Sequence, residues 1–186
     1  MLGLKEMRTL KLGRHRRARV WIGDIPDVLC ASQNTLIQHY AAPGYLLYEP
    51  REAAVELLVP LGARFMYGLL GGRFAYEATS ELHVEVSVSS AHERPFPESL
   101  AKSIDEVRVG LPSEYGGAAL AGVEFAGADS PLTAGRLIVS HGAHGAVSSC
   151  IAIYKHISAV LLKLFTLPNG EPSDDDLIAL FPMEFR

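Results

Sequence analysis

Residues 135–164 read GRLIVSHGAHGAVSSCIAIYKHISAVLLKL. Within them 136–140 hold Leu137, Ile138 and Val139 in succession, an apolar run of strand type. The next six residues, His141 to Ala146, contain two glycines and read as a loop. Ser148 stands where an N-cap hydroxyl is wanted. Beyond it Ile151, Tyr154, Ile157, Ser158, Leu161 and Leu162 share one face at helical spacing, which predicts a helix to about Phe165. A strand and a long amphipathic helix joined this way need a sheet for the helix to cover, the layer logic of an α+β domain.

Upstream, a helix is predicted from Pro112 to Phe125, opening within 110–123 (GLPSEYGGAALAGV). Pro112 suits a first turn, and Tyr115, Ala119 and Val123 recur at spacing four. Residues 127–135, with Pro131, read as a loop and 104–109 as a strand. Glu81 to Ser89 alternates: Leu82, Val84, Val86 and Val88 lie on one face, and Glu81, His83, Glu85, Ser87 and Ser89 on the other, a half-buried strand. Residues 92–101, polar and bearing Pro95 and Pro97, read as a loop. Gly71 and Gly72, between 64–69 and 73–76, suggest a hairpin or tight loop. Residues 7–25 read as one or two strands ending at Gly23 and Asp24. A helix is predicted over 27–40 from Val28, Leu29, Leu36 and Ile37, ended by Pro43 and Gly44. A shorter one is predicted over 51–59, closed by Pro60 and Gly62. After Ser173 the carboxylates Asp174, Asp175 and Asp176 complement a helix dipole, so a short last helix is expected over 177–181. The predicted core joins Val84, Val86, Val109, Ile138, Ile151, Tyr154 and Leu161.

The chain has 186 residues, 48% of them hydrophobic, enough for one domain or a domain with an extension, with no need of disulfides or structural metal. Cys30 and Cys150, far apart, define no framework and no metal spacing, and a reduced cytoplasmic setting is expected. No run of 18 apolar residues is present, so no membrane span is expected, and the N-terminus shows no secretion signal. Charge is uneven. Lys5, Arg8, Lys11, Arg14, Arg16, Arg17 and Arg19 stand against Glu6 in the first 19 residues, giving this segment +6 and the remainder −10 in a chain of net −4. A basic arm solvated or paired with the acidic body is the favoured reading, and contact with nucleic acid is the second.

Taken together, 71–164 resembles domain IV of the elongation factor G family of translocation GTPases, here without the GTPase. The glycine, proline and Glu-Tyr pair opening 110–123 are similar to that family's helix opening. In 135–164, Gly142, Val147 and Ser149 fall in register with the family's tip loop and turn, and Ala-Ile-Tyr-Lys at 152–155 sits where the family has Ala-Phe-Lys. Gly71, Gly72, Arg73, Tyr76, His83 and Val84 echo a further glycine-rich family stretch. Gly145 stands where the family has its tip histidine, and His141 and Ser148 where it has aspartates. The resemblance implies an antiparallel or mixed four-stranded sheet covered on one face by two helices, in a domain at 61–186 preceded by an unassigned segment at 1–60. It also implies a ribosome or RNA partner met by loops at 71–80 and 141–147. Their candidate contacts are His141, Gly142, His144, Gly145, Arg73 and Tyr76.

The residues themselves show no phosphate-cradling G-x-x-x-x-G-K-[ST], so no nucleotide is expected, nor any H-E-x-x-H, C-x-x-C or G-x-S-x-G. No cofactor is expected. His141 and His144 lack a third ligand and read as exposed loop histidines rather than a metal site. Cys150 near a helix N-terminus, or Ser149, with His144 as base, is the pattern of a small hydrolase or transferase. A buried cysteine packing under the helix is the plainer reading. His83 and Glu85 are placed as a pair in a cleft or on a solvated face. A non-catalytic binding module is the leading expectation, and the hydrolase or transferase is the alternative.

Overall fold

The alternation at 81–88 is strand β6 (Glu81–Val88), with Leu82, Val84 and Val86 fully buried on one side. The computed structural model describes residues 6–90 and 93–181. Around β6 stand β1 (Glu6–Lys11), β2 (Arg17–Ile22), β3 (Asn34–Ala41), β4 (Arg51–Leu61), β5 (Arg64–Tyr76), β7 (Val107–Val109) and β8 (Gly135–Gly145). The helices are α1 (Ser113–Asp129), α2 (Ile151–Thr166) and α3 (Asp174–Ile178). The architecture is α+β. One mixed sheet runs β1-β2-β4-β5-β8-β6-β3, with β7 added on β8. Every pairing is antiparallel except β6 with β8, the pair joined through α1.

Among the described residues the sheet has eight strands where four were expected. Both helices predicted before residue 60 are strands. Residues 27–33 are irregular, and β3 follows as an exposed edge strand on β6. β4 is a central strand buried on both faces from Ala53 to Val59, and such a run has no period by which to tell strand from helix. The boundary expected at 60 falls inside β4, whose pairing with β5 continues the sheet across it.

Gly71 and Gly72 make no hairpin. They lie inside β5 at a register shift against β8, and the turn is at Gly62. A Cβ on Gly72 would fall 2.1 Å from the Ile138 carbonyl oxygen, so the bare backbone there lets β8 come close. The predicted loop at 141–146 is also strand, because β8 continues to Gly145.

Two cores result. On one face α1 and α2 cover the sheet, with Val84, Val86, Leu137, Val139, Tyr154 and Leu161 all buried. Ser158 Oγ donates to the Ala119 carbonyl at 2.7 Å, and a Cβ on Gly122 would meet the Lys155 carbonyl oxygen at 2.3 Å, so the two helices touch backbone to backbone. On the other face the segment after Pro95 folds over Trp21, Ala54, Leu58, Tyr67 and Leu69, bringing Phe96, Leu100, Val107 and Val109 with it. Val109 therefore belongs to the second core. Ile138 points to the outer face and is half-buried, its neighbours Leu137 and Val139 pointing in, and Ile151 is 57% exposed. α3 opens on a capping box between Ser173 and Asp176, and Arg8 reaches Asp174 at 3.2 Å.

Candidate functional site

At one end of the sheet β8 leaves Gly145 and turns through Ala146, Val147 and Ser148 into α2. Asp105 closes this turn. Its carboxylate accepts the N–H of Val147 at 3.1 Å, the N–H of Ser148 at 2.8 Å and the Ser148 hydroxyl. Burial opposes the charge on Asp105, but the hydrogen bonds from Ser148 and Val147 outweigh it and hold the carboxyl below its ordinary range. Ser148 is thus engaged by Asp105. The N-cap of α2 is Cys150, which makes no side-chain capping bond, so the cap expected at Ser148 is corrected. Gly145 is required by the same contact: a Cβ there would lie 2.2 Å from Asp105 Oδ2 and 2.3 Å from Ser148 Oγ.

Behind the turn Ser149, Tyr154 and His144 are each tied to backbone. Ser149 Oγ donates to the Tyr67 carbonyl at 2.7 Å and accepts the Gly145 N–H at 2.9 Å. Tyr154 OH donates to the Ala143 carbonyl at 2.7 Å. Each hydroxyl has one proton, so none is left for the 3.2 Å contact between Ser149 and Tyr154. His144 is buried, and its Nδ1 faces the Gly110 carbonyl at 2.9 Å. A carbonyl can only accept, so Nδ1 carries the proton. Cys150 Sγ lies 3.6 Å from the Met66 sulfur. Among the described residues, neither Ser149 nor Cys150 hydrogen-bonds to His144.

The candidate contacts do not form one loop. His141 and His144 are strand residues on opposite faces of β8. His141 is half-buried beside Leu29 and bonded to Ser140, and burial lowers its pKa, against the pull of Glu52 and Asp27. Gly142 is buried, its N–H donating to the Val28 carbonyl at 3.0 Å. Arg73 is exposed in the middle of β5, level with Ile138. Tyr76 lies on the helix side, with its hydroxyl on the Phe165 carbonyl at 2.6 Å and its ring against Phe74. His83 and Glu85 do pair, at 2.9 Å, and Arg136 also holds Glu85. Arg136, and then His83, keep that carboxyl below its usual range, against burial. His39 stands edge-on to His83 with centroids 4.4 Å apart. This is an ion cluster on the open face of β3, β6 and β8, not a cleft.

Three turns meet at the Val147 end, which the reading of residues missed. Lys11 pairs with Arg17, Arg17 with Leu58 and Leu58 with Tyr67, whose N–H donates to the Ser148 carbonyl at 3.1 Å. The β1–β2 turn, the β4–β5 turn and the 146–148 turn therefore lie at the ends of neighbouring strands. Val147 is 87% exposed there, with Leu61 and Phe65 also exposed. Only the strand assignment of 51–61 brings these turns together, and 51–59 within it reads as helix from spacing alone.

Among the described residues no group of three or more His, Cys, Asp or Glu could hold a metal ion, and no helix is long and apolar enough to cross a membrane. No protein-family model, curated protein or solved structure matches the chain.

Proposed function

We propose that the chain is a non-catalytic binding module, related to the ribosome-contacting domain IV of elongation factor G, that docks on a ribosome or RNA in the cytoplasm. The docking end is the one where the three turns meet. The observation that carries this reading is the 146–148 turn: Asp105 fixes its backbone while leaving Val147 almost fully in solvent. A surface ordered before its partner arrives loses less entropy on binding. The order β6, β7, α1, β8, α2 supports the kinship, since it is the strand, strand, helix, strand, helix order that the resemblance implies. Gly145 in place of the family's histidine has a local reason here, because a side chain would displace Asp105.

The test is co-sedimentation with ribosomes over a salt series, comparing wild type with Val147→Asp. Wild type is expected in the pellet at low salt and Val147→Asp in the supernatant. Wild type that stays in the supernatant at low salt overturns the reading. The hydrolase or transferase alternative keeps one feature, the half-exposed Cys150 at the start of α2. Rapid alkylation of Cys150 at neutral pH would favour it, and slow reaction favours the module.

A further inference from the structure

The basic segment near the N-terminus is not a loose arm: its described part is the β1–β2 hairpin, the outermost strands of the sheet. Its turn passes through two left-handed residues, Gly13 at φ 100° and His15 at φ 58°. Lys11, Arg14, His15 and Arg17 are exposed around it. A cleft of about 370 Å³ separates this turn from β5 and is lined by Lys11, Gly13, His15, Arg16, Arg17 and Phe65. That volume is in the range of sites that hold small ligands, ~300–1,000 Å³. On the pleat, Lys11, Arg17 and Phe65 belong to one face, since Arg17 stands opposite both Lys11 and Leu58, Leu58 opposite Tyr67, and Phe65 is two residues from Tyr67. Arg64, next to Phe65 in sequence, is exposed on the opposite face of the pleat.

Among the described residues no carboxylate lines this cleft. Among the described residues Lys11, Arg14, Arg17 and Arg64 form no ion pair with one. Neighbouring acids are engaged. Glu56 is fully buried and held by Arg19, Tyr67 and the Leu100 N–H, while Asp105 holds the 147–148 amides. Lys11 and Arg17 thus line the cleft together with the exposed Phe65 ring, and Arg14 is exposed on the turn beside them. Cations alone would suit any anionic chain. A ring set among them suits one whose charges alternate with flat apolar groups, as phosphates alternate with unstacked bases.

We propose that this cleft seats a single strand of RNA, with Lys11, Arg14 and Arg17 on phosphates and Phe65 under a base. The proposal rests on the docking reading above and gives that end its chemical partner. The residues lie outside the stretch that resembles domain IV.

The probe is a labelled single-stranded RNA dodecamer of mixed sequence, followed by fluorescence anisotropy across a salt series. Wild type is expected to bind it more tightly than a duplex of the same sequence, whose bases cannot reach Phe65. Arg14→Ala with Arg17→Ala should lower the slope of log K against log salt by about 1.4, two contacts at ~0.7 each. Phe65→Ala should weaken binding about tenfold at unchanged slope. Gln38→Glu, an exposed position on β3 at the other edge of the sheet, should bind as wild type. Equal binding of the duplex, equally tight binding of a poly-glutamate peptide, or wild-type behaviour of Phe65→Ala overturns the proposal. Wild type that pellets with ribosomes but ignores the dodecamer overturns this cleft and leaves the docking reading standing. Wild type that binds neither overturns both.

Discussion

The Asp105 carboxylate accepts the Ser148 N–H at 2.8 Å, tying the strand-to-helix turn to the segment that folds over the opposite face of the sheet. Asp105→Ala removes the acceptor of two N–H groups and one hydroxyl. Water can reach the exposed Val147 and half-buried Ser148, so the cost should be about 1–2 kcal/mol rather than that of a buried orphan. A urea midpoint unchanged by Asp105→Ala would contradict this.

The same carboxylate makes stability depend on pH. Its folded pKa is depressed, so its stabilisation is complete above the ordinary aspartate range and fades as pH falls through the folded value. Wild type should lose stability faster than Asp105→Ala as pH drops below about 4. Parallel curves for the two proteins, measured by denaturation at a series of pH values, would remove Asp105 from the account.

Gly145→Ala places a methyl 2.2 Å from Asp105 Oδ2. Overpacking of this kind costs about 1–3 kcal/mol. In the Asp105→Ala background the nearest obstacle is gone, so the loss should shrink by at least ~0.5 kcal/mol, a coupling that a double-mutant cycle reads directly. Additive losses would mean that Gly145 serves some other contact.

Ser148→Ala separates two roles for one hydroxyl. A hydroxyl that capped α2 would cost about 1 kcal/mol in either background. Here the hydroxyl bonds to Asp105, so the loss should be ~1 kcal/mol in wild type and near zero beside Asp105→Ala. Equal loss in both backgrounds would restore the cap.

Glu56 is the buried counterpart on the covered face. Tyr67 OH and the Leu100 N–H both donate to its Oε1, at 2.9 and 2.7 Å. Burial nevertheless raises its pKa, outweighing those bonds and Arg19. A raised folded pKa contributes stability below the unfolded value, lost as pH rises through the folded one. Glu56→Gln keeps an oxygen for both donors, so it should fold and lose this fall in stability on going from acid to neutral pH. Glu56→Leu strips both donors and should cost about 3 kcal/mol or more. Denaturation at acid and neutral pH checks both; a Leu variant as stable as wild type would contradict the network.

Where one face of an element is wet, the chain was readable. The alternation at 81–88 appears as β6, and the helical stripe read from Ile151 to Leu162 appears in α2 with Ile151 itself exposed. Residues 51–61 were misread because both their faces are covered, leaving no polar residue at regular spacing to show the period. Residues 141–145 were misread because small residues suggest a loop, whereas here Gly142 and Gly145 let β8 lie under Leu111 and against Asp105. The histidines singled out there fall on opposite faces for the same reason. The lock at Asp105 joins residues 42 or 43 apart in sequence and leaves no local pattern.

The docking end is tested most directly by backbone hydrogen exchange with and without ribosomes. The account predicts slowed exchange at the β1–β2 turn, at 62–65 and at 146–148, with the open face around Ile37, His83 and Glu85 unchanged. Protection confined to that open face, or no change anywhere in the chain, would contradict it.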